Sequence, residues 1–388
     1  MRVAVVTPIP TPYRDRFWNE CAKQPGVDLT VLYCSAGKSD RPWTVNWSQE
    51  FHSEVVPGWN LLAGRGAGAS CYWNPSIARR LAAVEPDVIL IGGYNHLTMW
   101  SAMRQARRSK IPYLLMCETY RRDSSRGLRS WFKRKLVGWA VRNAAGVLPT
   151  GSLAETYLQD YGATLDRSFR LPNVPDVEAL EEAAVKLRQR RHDARAQRGL
   201  SSEPVVLFVG RLIPQKRAAI LIRAFARADE SAQLVIVGDG PERAALVALA
   251  NQLGLANRIT FPGFVQPQEI PAWYAAADLF VLPSSETWGV VVLEALASGL
   301  PVIVTDEVGC HPDVVTNPRD GTIVRPGDED ALVAALGKTI KSIRVSRADA
   351  SASIWDSPRK QFAMSSLAPR LSQALEGFVT RFHSRRRS

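Results

Sequence analysis

The chain has 388 residues, of which 46% are hydrophobic and 22% charged, so it is too long for one small domain and too apolar for a disordered protein. Its 49 lysines and arginines outnumber its 37 aspartates and glutamates, and the net charge of +12 leaves nucleic acid, an anionic membrane surface and an anionic small substrate as partner classes. The five cysteines are scattered and include no CxxC pair, which disfavours a zinc module and a disulfide scaffold.

Short β-branched runs alternate with helix-length amphipathic stretches through the first half of the chain. The predicted strands are Val3–Val6, Leu29–Tyr33, Val88–Ile91, Tyr113–Met116 and Gly146–Leu148, and the predicted helices are Arg14–Lys23, Pro75–Ala83, Leu97–Arg108, Leu128–Arg142 and Leu153–Tyr161. Buried runs without polar alternation, separated by helices, indicate a parallel sheet. Prolines interrupt the apolar start of the chain, so we expect no secretory signal and a cytoplasmic location.

The composition changes in the middle of the chain. Residues 176–203 are dominated by Glu, Ala, Arg and Gln, which predicts a solvated helix and a linker. The alternation then restarts, with strands predicted at Val205–Val209, Leu234–Val237, Arg258–Phe261, Leu279–Leu282 and Val302–Val304 and helices at Lys216–Arg227, Pro241–Leu253, Gln268–Ala277, Gly289–Ser298 and Asp328–Lys341.

These patterns predict an α/β protein with two Rossmann-like domains, at 1–175 and 204–350, on either side of the linker. Ligands of such sheets bind at the carboxyl ends of the strands, so a cleft between the two facing domains is the expected site. The tail, residues 351–388, carries apolar residues at helical spacing and predicts a terminal helix that packs back on the first domain.

The segment Leu282–Thr305 contains the most informative pattern: a strand end, a polar turn, a helix and a second strand. The turn contains Glu286 and ends at Gly289, which allows another backbone to approach closely. The first helical amides after Gly289 offer free N–H groups and a positive dipole, which suit a phosphate. Glu294 lies in an otherwise apolar helix, where a carboxylate needs partners: two vicinal hydroxyls, such as those of a ribose, or a structural hydrogen bond.

Two earlier strand ends also carry glycines beside polar residues. Gly210 is followed by Arg211 and Lys216, which could converge on a diphosphate as a guanidinium fork and a point charge, or lie in a solvated loop. The turn Gly238-Asp-Gly-Pro241 lacks the spacing of a dinucleotide fingerprint, and it could contact a ligand or form a plain turn.

Four motifs occur in a fixed order along the second half: Val209-Gly-Arg with Lys216, Val237-Gly-Asp-Gly-Pro241, Pro262-Gly-Phe-Val265, and Glu286-x7-Glu294 followed by Ala-Ser-Gly-Leu-Pro301. This set closely resembles the retaining nucleotide-sugar glycosyltransferases of family four, which have the GT-B fold. The resemblance is strong over about 205–330 and looser in the first domain. It implies an acceptor domain followed by a nucleotide-sugar donor domain, facing each other across a cleft.

The resemblance also implies roles for the motif residues. Arg211 and Lys216 would hold the donor diphosphate and stabilise the leaving group, and Glu286 would contact the donor sugar at the reaction centre. The implied donor-binding residues are Gly210, Val265 by the base, Gly289 and Val290 by the phosphates, and Glu294 by the ribose.

No metal and no cofactor are expected, because members of this family typically need no divalent ion and the nucleotide-sugar is a substrate. Two cations and a helix amino terminus can neutralise a diphosphate in place of a metal. The acidic run Asp328–Asp330 opens a predicted helix, where acids suit the amino terminus.

Candidates in the first domain lie in loops at strand ends. His96 fits a family histidine near the donor sugar and is a catalytic candidate, although a lone histidine is often structural. Glu118, Tyr94 and Arg14 are candidates for contact with the acceptor, and Glu118 could equally be a salt-bridged loop acid.

Most of the net charge is concentrated between Arg104 and Arg142, where twelve basic residues face two acids. Aromatic residues interleave with them, and Trp131, Phe132, Lys135 and Trp139 are candidates for contact with an anionic membrane interface. The alternative is that the apolar face packs on the sheet, as helices of this fold must. No recognised nucleic-acid module accompanies the basic residues, so nucleic acid is not an expected partner.

The resulting prediction is a retaining glycosyltransferase that moves a sugar from a nucleoside-diphosphate-sugar to a hydroxyl of a glycan or lipid-linked acceptor. Bacterial surface polysaccharide or glycolipid synthesis at the inner face of the plasma membrane is the expected setting. Two alternatives stay open at this point: a non-hydrolysing sugar-nucleotide epimerase of the same fold, and a non-enzymatic basic protein that binds membrane or nucleic acid.

Overall fold

The computed structural model describes residues 1–37, 49–64, 70–120, 128–346 and 359–385. The chain divides into two compact units. Unit 1 consists of Met1–Val174 and Phe362–Ser388, and unit 2 consists of Pro175–Gln361. The first segment of unit 1 thus ends one residue before 175, the predicted end of the first domain. The last segment of the chain belongs to the same unit.

Unit 1 is built on a six-stranded parallel sheet. Its elements are β1 (Arg2–Thr7), α1 (Pro12–Ala22), β2 (Asp28–Tyr33), β3 (His52–Val55), β4 (Trp59–Asn60), β5 (Tyr72–Trp73), α2 (Ile77–Val84), β6 (Val88–Gly92), α3 (Leu97–Arg108), β7 (Tyr113–Cys117), α4 (Leu128–Asn143), β8 (Gly146–Pro149) and α5 (Ser152–Gln159). The strand order is β3-β2-β1-β6-β7-β8. The order reverses between β1 and β6, which is where ligands of such sheets bind.

The sequence did not predict β3 or the antiparallel pair β4 and β5, because β3 is largely exposed and β4 and β5 are only two residues long. A buried asparagine holds this region instead. Asn74 Nδ2 donates hydrogen bonds to the carbonyls of Cys34 at 3.0 Å and Val56 at 2.6 Å, and Asn74 Oδ1 accepts one from Thr98 at 2.7 Å. A single polar side chain of this kind leaves no periodic signal in a sequence.

Unit 2 repeats the architecture. Its elements are α6 (Val177–Arg188), α7 (Arg191–Ala196), β9 (Val205–Val209), α8 (Ala218–Ala228), β10 (Gln233–Val237), α9 (Arg243–Gln252), β11 (Ile259–Gly263), α10 (Ile270–Ala276), β12 (Leu279–Leu282), α11 (Val290–Ala297), β13 (Val302–Thr305), α12 (His311–Val314), β14 (Gly321–Val324) and α13 (Glu329–Ser346). The parallel strands lie in the order β11-β10-β9-β12-β13-β14. The chain moves in opposite directions along the sheet on either side of β9, and because crossovers between parallel strands are right-handed, helices are expected on both faces.

The segment predicted as a linker, 176–203, is helical and packed in unit 2. α6 packs against α10 and α11, and α7 packs against α10. Arg195 is buried, and its Nη2 donates to Asp278 Oδ2 at 2.6 Å. The basic composition predicted a solvated segment. In the structure, arginines of this segment instead donate hydrogen bonds to Asp278, a buried acid in a distant part of the chain.

The described end of the chain consists of α14 (Arg359–Phe362) and α15 (Met364–Ser384). α15 packs against α1 and buries its apolar stripe, Leu367, Leu371, Leu375 and Phe378. Gly146, at the start of β8, makes room for this helix, since a Cβ on it would lie 2.5 Å from the Phe378 ring. No helix in the described parts of the chain is both long enough and apolar enough to cross a bilayer.

Candidate active site

The strand order of unit 2 reverses between β9 and β12, and the loops that follow these two strands lie side by side. The backbone N–H of Ser285, after β12, donates to the carbonyl of Gln215, after β9, at 3.1 Å. The carboxyl ends of two adjacent parallel strands therefore present both predicted motifs at one edge. This is the position at which open α/β sheets bind ligands.

Lys216 and Glu286, both predicted at the donor site, are in contact at this edge. Lys216 Nζ donates a hydrogen bond to Glu286 Oε1, and Ser284 Oγ donates to the same oxygen at 2.8 Å. The side chains of Lys216 and Glu286 are 15% and 20% exposed, so the ion pair is largely shielded and still open to a ligand. Arg211 lies partly buried in the same loop, five residues before Lys216.

Close backbone contact between the loops after β9 and β10 explains the glycines at their ends. Gly238 has φ +136°, and a Cβ on it would lie 1.9 Å from the carbonyl oxygen of Gly210. The N–H of Gly210 in turn donates to the carbonyl of Val237 at 3.0 Å. The turn at Gly238 therefore fixes the loop that carries Arg211, and its contact with a ligand stays a prediction.

Gly289 sets the start of α11. Its φ is +110°, and a Cβ on it would lie 2.8 Å from Val308 Cγ1, so a side chain here would meet both strain and a clash. The first amides of α11, beginning at Val290, point beyond the helix end and carry the positive end of its dipole. This helix end follows directly on the loop that contains Glu286.

Glu294 lies about one turn into α11, and a buried tyrosine donates a hydrogen bond to it. Tyr274 Oη donates to Glu294 Oε2 at 2.8 Å. Burial of the carboxyl group raises the pKa of Glu294, and the hydrogen bond from Tyr274 partly counteracts this. Burial, and then the nearby Glu294, raise the pKa of Tyr274. The sequence analysis missed Tyr274, because a buried tyrosine needs a hydrogen-bond partner but the sequence does not show which one.

Val265 follows β11, the strand beyond β10. Gly263, with φ +81°, ends that strand, and its carbonyl accepts a hydrogen bond from the N–H of Gly238 at 2.8 Å. The loop with Val265 is thus tied to the loop after β10, at the same carboxyl edge as the other donor candidates.

In unit 1, two of the three acceptor candidates come together. Arg14 Nη2 lies 3.9 Å from Glu118 Oε1, and Asn173 Nδ2 donates to the same oxygen at 2.8 Å. Burial lowers the pKa of Arg14, while the Glu118 carboxylate acts in the opposite direction. Arg14 is on α1, which follows β1, and Glu118 follows β7. Asn173, which lies far along the chain, was not predicted.

His96 and Tyr94 are held inside unit 1 rather than presented on an open loop. His96 is buried, and its Nδ1 accepts a hydrogen bond from the backbone N–H of Tyr72 at 3.3 Å. The ring centres of His96 and Tyr72 lie 5.0 Å apart. The hydroxyls of Tyr94 and Tyr157 lie 2.9 Å apart in the core. These contacts account for both residues structurally, so their roles toward substrate stay predictions.

The four candidates for contact with a membrane differ in their exposure. Trp131 is 53% exposed, and Lys135 Nζ lies 5.5 Å from its ring centre. Trp139 is half-buried and packs on Trp100, with ring centres 5.7 Å apart, so its contact with an interface stays a prediction. The side chain of Phe132 lies outside the described residues.

The acidic run Asp328–Asp330 serves the helix end and its neighbours. Asp328 Oδ1 accepts a hydrogen bond from the N–H of Ala331 at 2.9 Å, and Asp330 Oδ1 accepts one from Arg227 at 2.7 Å. Among the described residues, no group of three His, Cys, Asp or Glu side chains is placed to hold a metal ion.

Two family comparisons together account for most of the chain. Residues 2–174 match the glycosyl transferase 4-like domain, and residues 190–350 match the glycosyl transferases group 1 family. The chain is 30% identical over 294 residues to the GDP-mannose-dependent alpha-(1-6)-phosphatidylinositol monomannoside mannosyltransferase of Mycolicibacterium smegmatis, which covers 70% of this chain and 72% of that protein. It is 28% identical over 279 residues to the sulfoquinovosyl transferase SQD2 of Arabidopsis thaliana, which covers 68% of this chain and 51% of that protein.

Solved structures show the same fold. The Anabaena protein Alr3699/HepE, in complex with UDP-glucose, superimposes with a TM-score of 0.70 at 20% identity, over 97% of this chain and all of that one. WaaG, a glycosyltransferase involved in lipopolysaccharide biosynthesis, superimposes with a TM-score of 0.66 at 19% identity, over 96% of this chain and 99% of that one.

Proposed function

Because the chain belongs to the group 1 glycosyltransferases, nucleotide-sugar-dependent enzymes of the GT-B fold, we propose that it transfers a sugar, with retention of anomeric configuration, to a hydroxyl of a glycan or lipid-linked acceptor. The observation that carries this proposal is the ion pair between Lys216 and Glu286 where the strand order of unit 2 reverses. The start of α11 follows directly on the loop that contains Glu286. The setting we propose is bacterial surface polysaccharide or glycolipid synthesis.

In this reaction, the bond between the sugar and the diphosphate breaks, and negative charge develops on the leaving nucleoside diphosphate. Lys216 supplies a point charge and Arg211 a guanidinium fork, and the amides of α11 add donors from a third direction. Groups that are already in place stabilise such charge without reorganisation. The residues present can therefore support departure of the diphosphate without a divalent metal.

Glu286 has a second use once the donor binds. In the free protein its carboxylate pairs with Lys216. A diphosphate competes for that lysine, and Glu286, still held by Ser284, then faces the donor sugar as a hydrogen-bond acceptor. Exchange of one anion for another at Lys216 would thus couple diphosphate binding to orientation of the sugar.

We propose that the acceptor binds to unit 1 and contacts the side chains of Arg14 and Glu118 there. Glu118 can accept a hydrogen bond from an acceptor hydroxyl, and Asn173 fixes its orientation. One of the similar proteins is named for a phosphatidylinositol monomannoside acceptor, which supports a lipid-linked class.

The donor itself is identified by a panel of nucleoside-diphosphate-sugars. Purified full-length protein is incubated with UDP-, GDP- and ADP-sugars, and release of the nucleoside diphosphate is followed with and without a mixture of glycan and glycolipid acceptors. We expect one donor to be hydrolysed slowly and to be consumed faster with an acceptor, and the product to keep the anomeric configuration of the donor. Equilibration to an epimeric sugar without any acceptor would contradict the proposal.

Binding of Glu294 to the ribose predicts a dependence of nucleotide affinity on pH. The ionised carboxylate accepts hydrogen bonds from two hydroxyls, and burial raises the pKa at which it becomes protonated. Nucleoside diphosphate affinity should therefore fall as the pH is lowered through that pKa, and Glu294→Gln should weaken binding about 10- to 100-fold at neutral pH. Calorimetric titrations between pH 5 and 8 measure both effects.

The matched variant for this test is Tyr274→Phe. It removes the hydrogen bond that favours the ionised form of Glu294, so the pH profile should move to higher pH while affinity at the alkaline end is retained. A Glu294→Gln protein with the wild-type profile would show that another group titrates.

We also propose that α4 contacts an anionic membrane surface on the inner side of the plasma membrane. Trp131 and Leu136 expose 53% and 52% of their surface on a helix that also carries exposed Lys133, Arg134 and Lys135. Trp131→Ala with Leu136→Ser should reduce co-sedimentation with phosphatidylcholine–phosphatidylglycerol vesicles several-fold. The same pair of changes at the exposed Trp59 and Leu61 is the control. Equal loss in both proteins, or equal pelleting with neutral vesicles, would contradict this contact.

A further inference from the structure

Unit 1 contains a basic cavity at the edge of its sheet where the strands begin. The candidate acceptor residues lie at the opposite edge, where the strands end. The cavity has a volume of about 410 Å³ and lies where β7 and β8 begin, among residues that include Ile111, Asn143 and Ala145. Glu118 lies beyond the other end of β7, about 16 Å away at roughly 3.3 Å per residue. The cavity is therefore separate from the acceptor candidates, and all of its lining residues belong to unit 1.

Six cationic side chains line this cavity: Arg107, Lys110, Arg142, Arg167, Arg381 and Arg385. They come from four separate parts of the chain, since α3, α4 and α15 end here and the turn at Leu165–Arg167 adjoins them. Among the residues that the structure describes, one carboxylate pairs with the group: Asp166 Oδ2 lies 3.9 Å from Arg385 Nη2.

Several of these cations are positioned by groups that leave their charge uncompensated. Arg167 donates from Nε to the carbonyl of Ala145 at 3.3 Å. The guanidinium of Arg107 lies 5.2 Å from the Trp139 ring centre, and that of Arg381 lies 4.9 Å from the Phe378 ring centre. Carbonyls and aromatic faces hold a guanidinium in place, but they carry no net negative charge.

The charge balance of the cavity is strongly positive. The carboxyl-terminal ends of three helices contribute about half a negative charge each, and Asp166 contributes one more. About three to four positive charges remain without a counter-charge. Burial, and then the neighbouring Arg385, lower the pKa of Arg167, so these two cations repel each other. A bound anion would remove this repulsion.

We propose that this cavity binds a phosphate or diphosphate group, as a second anion site distinct from the donor diphosphate site. Guanidinium groups bind phosphate oxygens in pairs, and several arginines around one cavity suit a dianion or trianion better than a single carboxylate. The group can belong to a soluble phosphorylated compound or to the headgroup of a phospholipid, and the cavity is large enough for either. The proposal does not depend on the transferase reaction.

The test compares two full-length proteins that lose the same charge. Arg107→Gln, Arg142→Gln and Arg381→Gln remove three cations from the cavity, and Arg79→Gln, Arg104→Gln and Arg108→Gln remove three exposed cations elsewhere in unit 1. Both sets are placed in a background with Arg211→Gln and Lys216→Gln, so that the donor cations do not bind the probe. Circular dichroism and thermal unfolding establish that each protein is folded.

The first probe is inorganic pyrophosphate, titrated by calorimetry, and the second is vesicles of phosphatidylcholine with phosphatidic acid. We expect at least one probe to bind the control set, and to bind the cavity set at least tenfold more weakly. Weaker binding of pyrophosphate by the cavity set would indicate a soluble ligand. Weaker binding of the vesicles alone would indicate a phospholipid headgroup. Equal binding to both sets, or no binding of either probe to the parent, would overturn the proposal. If the triple variant does not fold, Arg381→Gln alone should weaken binding about threefold.

Discussion

Replacement of Lys216 by alanine is expected to lower kcat about 10²- to 10³-fold, with a much smaller change in KM for the donor. Lys216 lies at the carboxyl edge of β9, and its ammonium group reaches Glu286 across the point where the strand order reverses. Loss of this charge removes stabilisation that is greatest when the diphosphate departs. Steady-state kinetics with the donor found in the panel measures the effect, and single-turnover experiments place it on the chemical step.

Two companion variants separate catalysis from structure. Arg223→Ala removes a cation from α8 that pairs with Glu329, away from the site, and kcat should stay within twofold of the wild type. Lys216→Ala with Glu286→Gln removes both members of the ion pair. If Lys216 served only to neutralise Glu286, this double variant would be as active as Glu286→Gln alone. We expect it to be slower than Glu286→Gln, and equal activity of the two would contradict our assignment.

The strands that form the centre of each unit could be predicted because they are buried on both faces. β1, β9 and β12 are continuous apolar runs, and the structure places them within a residue of the predicted bounds. β3 and β14 were missed for the opposite reason. They lie at the sheet edges and expose side chains, such as His52 and Ile323, so no apolar run marks them.

The candidate site was predictable as far as its residues are close in sequence to a strand end. Lys216 and Glu286 each follow a buried strand, and adjacent parallel strands bring such loops together. Tyr274 and Asn173 were not predictable, because each acts on a carboxylate from a distant part of the chain. The contact of Trp139 with Trp100 was not predictable either, since an aromatic residue on an amphipathic helix can pack inward or face outward, and Trp100 lies on α3.

The arginine-rich segment before β9 shows how a tertiary partner can reverse a prediction from composition. Asp278 Oδ1 accepts from Arg191 and its Oδ2 from Arg195, each at 2.6 Å. Asp278 Oδ2 also accepts from the N–H of Val205, the first residue of β9, at 2.7 Å. The carboxylate therefore joins α7 to the start of the central strand. A buried charge of this kind is costly to leave without its partner.

Asp278→Ala is consequently expected to destabilise the protein by about 3–5 kcal/mol, because Arg195 and Arg191 would stay in place without their acid. Urea unfolding measures the loss, and hydrogen exchange should show faster opening at Val205 and along α7. The control is Asp330→Ala, which removes an exposed acid paired with Arg227 and should have a much smaller effect on stability.

A rescue variant tests the cause of the destabilisation. Asp278→Ala combined with Arg191→Met and Arg195→Met removes the uncompensated charges and keeps the apolar side-chain stems. It should therefore recover part of the stability lost in Asp278→Ala. If Asp278→Ala costs no more than Asp330→Ala, the pairs do not hold α7. If the triple variant is less stable still, the arginine contacts with carbonyls such as that of Ala276, which accepts from Arg195 Nε at 2.8 Å, would be the larger contribution.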